Sequence, residues 1–397
     1  MKWSIETIGS VAHVNPKLAV VDRPGIDEIV SFVPMAAVSE ETLRIEDEAE
    51  RPYSEVSKGY TPFKRGDVLI AKITPCFENG KMALADNLVH HYGFGTTEFH
   101  VLRPSEMVLG SYLFQLLRTP YVRKAGAIKM KGAAGQRRVP AEFFSSLKIP
   151  LPPLAEQKRI AAILDAADAL RAKRRESLVQ LDTLIQSTFL DMFGDPVTNP
   201  MGWDLMMSGE LFLLPPRIGT TTPAAGKGYL VIRVGEVGQS RIAFERCRRV
   251  ELSQKDFDKF KLKPGDTVIA RAIGSKNQLG KASFFDGFAE PIVIDSHVMR
   301  FRPDPDKCNG IWFYSLISSG RGRQLLQSAG GATAVQFNIN AKQASSLQIA
   351  LPPLDLQNRF TTIVESIEQQ KTRLRTHLAE LDTLFASLQS RAFNGEL

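Results

Sequence analysis

Asparagine, glutamine, lysine and arginine gather beside glycines in four short stretches of this 397-residue chain. ITPCFENGK (Ile73–Lys81) and AIGSKNQLGK (Ala272–Lys281) form one pair, KMKGAAGQRR (Lys129–Arg138) and GGATAVQFNIN (Gly330–Asn340) the other. Side chains of these types hydrogen-bond the edges of nucleic-acid bases, Asn or Gln to adenine and Arg or Lys to guanine. Asn79, Gln136, Asn277, Gln278, Gln336 and Asn338 are the amide candidates, and Lys81 closes the first loop. Lys72, Lys129, Lys131, Arg137, Arg138, Arg271, Lys276 and Lys281 suit phosphate contacts, which position a protein on a duplex without reading its sequence. Any one of these side chains, taken singly, reads equally well as part of a solvated loop. AKRRES (Ala172–Ser177) reads as a solvated patch.

Catalytic chemistry finds little support. There is no N-P-P-[FY] or D-P-P-[FY] motif of an amino-methyltransferase and no glycine fingerprint for a methyl donor. GSKNQLGKA (Gly274–Ala282) approaches a phosphate-binding loop, but it spaces the glycines by five residues and carries Ala282 where Ser or Thr would bind magnesium. PDPDK (Pro303–Lys307) lacks the Asp-x-Lys spacing of a nuclease and reads as a turn at a strand end. The histidines form no HxH or HExxH, and Cys76, Cys247 and Cys308 are scattered. The cysteine pattern argues against a disulfide scaffold or a zinc site and suits a reducing cytosol. Neither a signal-peptide run nor a membrane-length apolar stretch is present, so the expected location is cytoplasmic, with no membrane partner. A formal charge of +7 is compatible with a polyanionic partner.

The loops need elements to hold them, and those elements are duplicated. LPPLAEQKRI begins at Leu151 and LPPLDLQNRF at Leu351; SSLKIPLPPL (Ser145–Leu154) answers SSLQIALPPL (Ser345–Leu354) in the same frame. Trp3 matches Trp203, and Gly80-Lys81 matches Gly280-Lys281. GDVLIAK (Gly66–Lys72) and GDTVIAR (Gly265–Arg271) read as strands after a Gly-Asp turn, as do FHVLRP (Phe99–Pro104) and VMRFRP (Val298–Pro303). Pro153 and Pro353 stand where a helix begins. Beyond them apolar residues recur at alternating spacings of four and three, through Phe360, Val364 and Ile367 to Leu374, Leu378, Leu381, Phe385, Leu388 and Ala392, with Lys371 alone breaking the seam. The first copy runs through Ile160, Leu164 and Ala167, weakens at Arg171 and Arg174, and resumes at Leu178, Leu181 and Ile185. This is a coiled-coil signature, and each helix finds its natural partner in the other.

The expected architecture is therefore α+β: two globular domains, 1–150 and 196–350, joined by two long antiparallel helices, 151–195 and 351–397, with pseudo-two-fold internal duplication. IPLPPLAEQKRIAAIL followed by LDTLIQSTFLDMFGD resembles the helical region of the specificity subunits of type I restriction–modification systems, and LDTLFASLQSRAFNGEL resembles that family's closing helix. The W-start, the GDVLIAK strand and the Gly/Gln loop resemble its target recognition domains. The second copy departs at Asp355-Leu356-Gln357, losing the acidic residue of Ala155-Glu156-Gln157. The resemblance implies a non-catalytic reader of double-stranded DNA. Each domain would read half of a split site, while the helices set the gap and dock methyltransferase (modification) subunits. A motor–nuclease (restriction) subunit would join for cleavage. S-adenosylmethionine, ATP and Mg would sit on the partner subunits, with no cofactor on this chain. The rival reading is a coiled-coil scaffold that binds protein and not DNA.

Overall fold

The structure, a computed structural model, describes residues 3–133, 135–238, 242–332 and 337–397. It divides into two compact units: residues 1–176 with 375–397 (unit one), and residues 177–374 (unit two). This division cuts across the four segments read from the sequence, because each long helix gives one half to each unit.

In unit one the Gly-Asp turn feeds the central strand. Gly66 holds φ +91°, a conformation that glycine adopts without cost, and Val68–Ala71 follows with every side chain buried. An unbroken apolar run fits a strand covered on both faces, and burying Val68, Leu69 and Ile70 contributes about 1.5–3 kcal/mol each. The strand pairs antiparallel with Met82–Leu84 and with Phe99–Pro104, which pairs in turn with Ala12–Val14. A second sheet orders Ala49–Pro52, Ile29–Val33, Tyr92–Gly95 and Thr61–Lys64, with a parallel pair at its centre. Ser4–Thr7 pairs with Lys148–Leu151, tying the W-start to the strand that leads into LPPL.

Unit two repeats this plan. Phe212–Ile218, Val298–Pro303, Asp266–Ala270 and Ala282–Phe285 form a four-stranded sheet in the same order. Arg248–Val250, Tyr229–Ile232 and Ile292–Ile294 form the second sheet, again with one parallel pair. Asp204–Met207 pairs with Gln348–Leu351. The Gly-Asp turn carries the same buried ion pair in both units. Arg103 grips Asp67 through Nε and Nη2 at 3.0 and 2.8 Å, and Arg302 grips Asp266 at 2.7 and 2.7 Å. Each aspartate also accepts a backbone N–H, from Lys64 or Lys263, so the turn and the neighbouring strand are clamped together.

The long helices span Leu154–Phe193 and Leu354–Asn394, about 60 Å each at about 1.5 Å per residue. Pro153 and Pro353 stand just before their first turns, where a missing N–H costs nothing. The helices are antiparallel within each unit. In unit one Ile160, Leu164 and Ala167 share a core with Phe385 and Ala392. In unit two Phe189 and Phe193 pack on Phe360, with ring centroids 5.6 and 5.4 Å apart. Two seam cations are paired across the helices: Arg171 with Asp382 and Lys371 with Asp182, each at 2.6 Å. At the helix starts, Gln157 accepts the Leu109 N–H at 2.8 Å and donates to Met107 and Pro152 carbonyls, while Gln357 accepts from Asn309 and donates to Pro352.

Candidate nucleic-acid interface

The loop at Ile73–Lys81 leaves the buried end of the Val68–Ala71 strand and returns at Gly80, where φ is +80°. The segment Lys131–Arg138 doubles back on itself: Lys131 and Arg138 exchange both backbone hydrogen bonds, at 2.9 and 2.8 Å. The two predicted loops then meet. Thr74 N–H donates to the Arg137 carbonyl at 2.9 Å, Val139 N–H donates to the Lys72 carbonyl at 2.9 Å, and Ile73 faces Arg138. Arg138 is thus the middle of a three-segment ribbon, flanked by Ile73 and Lys131.

Unit two builds the same ribbon from its own pair of loops. Phe337–Asn338 runs between Ala272–Ile273 and Gly331–Ala332, and Asn338 faces Ala272 on one side and Gly331 on the other. Ile339 N–H donates to the Arg271 carbonyl at 2.9 Å, as Val139 does to Lys72. Segments separated by more than fifty residues in the sequence are therefore single local surfaces in the fold.

Beneath the unit-one ribbon lies His100, almost fully buried. Its Nε2 is 2.8 Å from the Val139 carbonyl, which can only accept, so Nε2 carries the proton and Nδ1 accepts from Asn15 Nδ2 at 2.9 Å. Burial holds the imidazole pKa below its usual value, which keeps this neutral tautomer in place. The central segment is pinned from below as well as from both sides.

The side chains are less free than their types suggest. Arg138 donates from Nε and Nη2 to the Glu98 carboxylate at 2.9 and 2.8 Å. The hydrogen bond from Arg138 keeps Glu98 ionised below the usual carboxylate range. Arg137 pairs with Glu78 at 3.1 Å, and Asn79 donates to Glu40 at 3.0 Å. Lys81 reaches the Met35 carbonyl at 3.2 Å and lies 3.7 Å from Glu40. Lys129, Lys131 and Gln136 are exposed, and Lys72 is half-buried near Glu98 and His100. In unit two Arg271 turns inward, donating to the carbonyls of Ile339 and Ser296 at 2.9 and 2.8 Å. Asn277 is exposed, while Gln278, Lys281 and Asn338 are half-buried. Gln336 and the side chain of Lys276 lie outside the described residues.

Sequence reasoning missed the carboxylates. Glu40, Glu78 and Glu98 offered no signal, because a search for base- and phosphate-binding types passes over acids. Among the described residues no group of three or more His, Cys, Asp or Glu is placed to hold a metal ion. No helix among them is long and apolar enough to cross a membrane.

Comparison with known proteins finds likenesses to one family. Residues 3–180 match the type I restriction modification DNA specificity domain. Over 487 aligned positions the chain is 25% identical to the specificity subunit of the type I restriction enzyme EcoEI of Escherichia coli, covering 95% of this chain and 81% of that one. It is 40% identical over 185 residues to the EcoAI specificity subunit of the same species, covering 45% of this chain and 30% of that one. The crystal structure of the S subunit of a type I restriction–modification system from M. genitalium superposes with a TM-score of 0.56 at 13% identity, over 99% of this chain and 96% of that chain.

Proposed function

Because the chain belongs to the family of type I restriction–modification specificity subunits, we propose that each of its units reads one half of a bipartite, asymmetric DNA site. The observation that carries this reading is the pair of ribbons. Both units build the same backbone frame, yet the side chains differ at equivalent places: Arg138 against Asn338, and Glu98 against His297. A shared scaffold with exchanged polar side chains is what two readers of different sequences require.

On this reading the chain performs no methyl transfer or cleavage of its own. It works with modification subunits that bind S-adenosylmethionine and with a motor–nuclease subunit that uses ATP and Mg, in the cytoplasm. The long helices set the unread gap and dock the modification subunits. Replacing residues 1–144 with the corresponding domain of another specificity subunit, in cells that supply the modification subunit, tests the division of labour. One half of the methylated motif should change and the other persist. A change in both halves would show that the units do not read independently, and no methylated motif at all would favour a scaffold.

A further inference from the structure

Arg138 and Asn338 occupy the same place, by hydrogen bonding as well as by alignment: each is the central residue of its ribbon, bridged on both sides. The residues behind them also correspond. The Glu98 carbonyl accepts the Lys72 N–H, and the His297 carbonyl accepts the Arg271 N–H, each at 2.9 Å. The two units thus exchange a matched pair, Arg138 with Glu98 in unit one for Asn338 with His297 in unit two.

Arg138 is not built as a phosphate anchor. Its charge is cancelled by Glu98, so it adds little to the attraction of a polyanion. Its geometry, however, is fixed. Of its five N–H donors Glu98 takes one on Nε and one on Nη2, and the Gln136 carbonyl takes one on Nη1 at 3.2 Å. One donor on each terminal nitrogen remains, on a side chain still 42% exposed. A fork of two donors matches the O6 and N7 acceptors of guanine, whereas an asparagine amide matches N6 and N7 of adenine.

Resting on the DNA-reading role stated above, we propose that Arg138, aimed by Glu98, reads a guanine in the first half-site and that Asn338 reads an adenine at the equivalent position of the second. Glu98 is a positioning residue. It holds the guanidinium in one orientation and suppresses its pull on phosphates.

The test uses the full-length chain assembled with modification subunits and selects from a random DNA pool, with salt dependence measured on the selected site. The wild type should enrich a motif with a G·C pair in one half and an A·T pair in the other. Arg138→Ala should lose about 5- to 150-fold discrimination at that G·C position, the range of one bidentate contact. Its salt slope should stay nearly unchanged, where loss of a phosphate contact lowers the slope by about 0.9. Glu98→Ala should weaken the guanine preference while raising the salt slope, an opposed pair of effects that simple loosening of the fold does not produce. Asn338→Ala should lose the adenine alone. Arg138→Lys keeps charge and length without the fork, and should lose guanine too; it decides the matter if the alanine variant folds poorly. A wild type that enriches no sequence overturns the DNA-reading role and this inference together. A wild-type motif that survives Arg138→Ala and Arg138→Lys unchanged, or a loss in the salt slope of Arg138→Ala, overturns this inference alone.

Discussion

Arg171 on the first long helix donates to Asp382 on the second at 2.6 Å, both within unit one. In unit two the roles are exchanged: Lys371 on the second helix donates to Asp182 on the first, also at 2.6 Å. Both pairs obey one antiparallel register. A polar residue at a seam position fixes register at a cost in stability, since a slipped helix would strand the charge among apolar side chains.

The Lys371 pair makes an asymmetric prediction. Lys371 is 1% exposed and also bonds Glu368, whereas Asp182 is 52% exposed. Lys371→Met should leave stability unchanged or raise it, because the remaining carboxylates are solvated. Asp182→Ala should lower stability, because the buried ammonium loses a partner, with Glu368 limiting the loss. Thermal unfolding of the two variants checks the opposite signs; equal destabilisation would contradict the account.

At the Gly-Asp turn both partners are enclosed. Removing one leaves an uncompensated charge beside the sheet, so Asp67→Ala and Asp266→Ala should each cost about 3–5 kcal/mol in urea unfolding. Arg103 is 15% exposed and Arg302 12%, so water offers little relief. A cost below about 1 kcal/mol would mean that the clamp holds nothing.

Asp168 links the seam to acid sensitivity. Burial alone would raise its pKa, but hydrogen bonding and charge from Arg118, together with Arg171, outweigh burial and leave it below the usual carboxylate range. A depressed folded pKa means stability that is present above the unfolded value, about 3.9, and lost as pH falls through the folded value. Melting temperature should therefore drop as pH falls below about 4, and Asp168→Asn should flatten part of that drop. An unchanged profile in the variant would remove Asp168 from the account.

The spacer can be lengthened in two ways. Seven residues inserted after Arg175 alone part the two ion pairs on one helix only, so one pair must break and stability should fall. A second heptad after Thr376 restores both pairs in phase. The doubly extended chain has helices longer by about 10 Å and should methylate a motif whose unread gap is longer by about one to three base pairs, with both half-sites intact. An unchanged gap in an active double variant would mean that the helices do not measure the DNA.

Much of the fold was legible because it depends on local patterns. The GDVLIAK and VMRFRP strands stand as read, and so does the heptad seam with its lone lysine, since periodicity and turn chemistry act over a few residues. The pairing of the candidate loops was not legible. Ile73 and Arg138 meet only because the sheet brings distant segments together, and no spacing in the sequence encodes that. The carboxylates behind the arginines were hidden because acids are not base- or phosphate-binding types. At the departure in the second LPPL copy, the first copy's Glu156 is paired among the described residues with Arg159 alone, whereas Gln157 and Gln357, matched between the copies, hold the buried hydrogen bonds.

Phe393 stacks edge-on against Tyr112 as Phe193 does against Trp312, but the two contacts differ in chain order. Unit two is one continuous stretch, whereas unit one is completed by residues 375–397, whose Phe385, Leu388, Ala392 and Phe393 line its core. During synthesis the part of the first reader's core that these residues cover stays open until the whole of the second has left the ribosome. Its exposed apolar surface is then a target for chaperones and proteases for the time needed to translate unit two. A frameshift or premature stop after residue 374 would thus spare the later-made reader and cripple the earlier one.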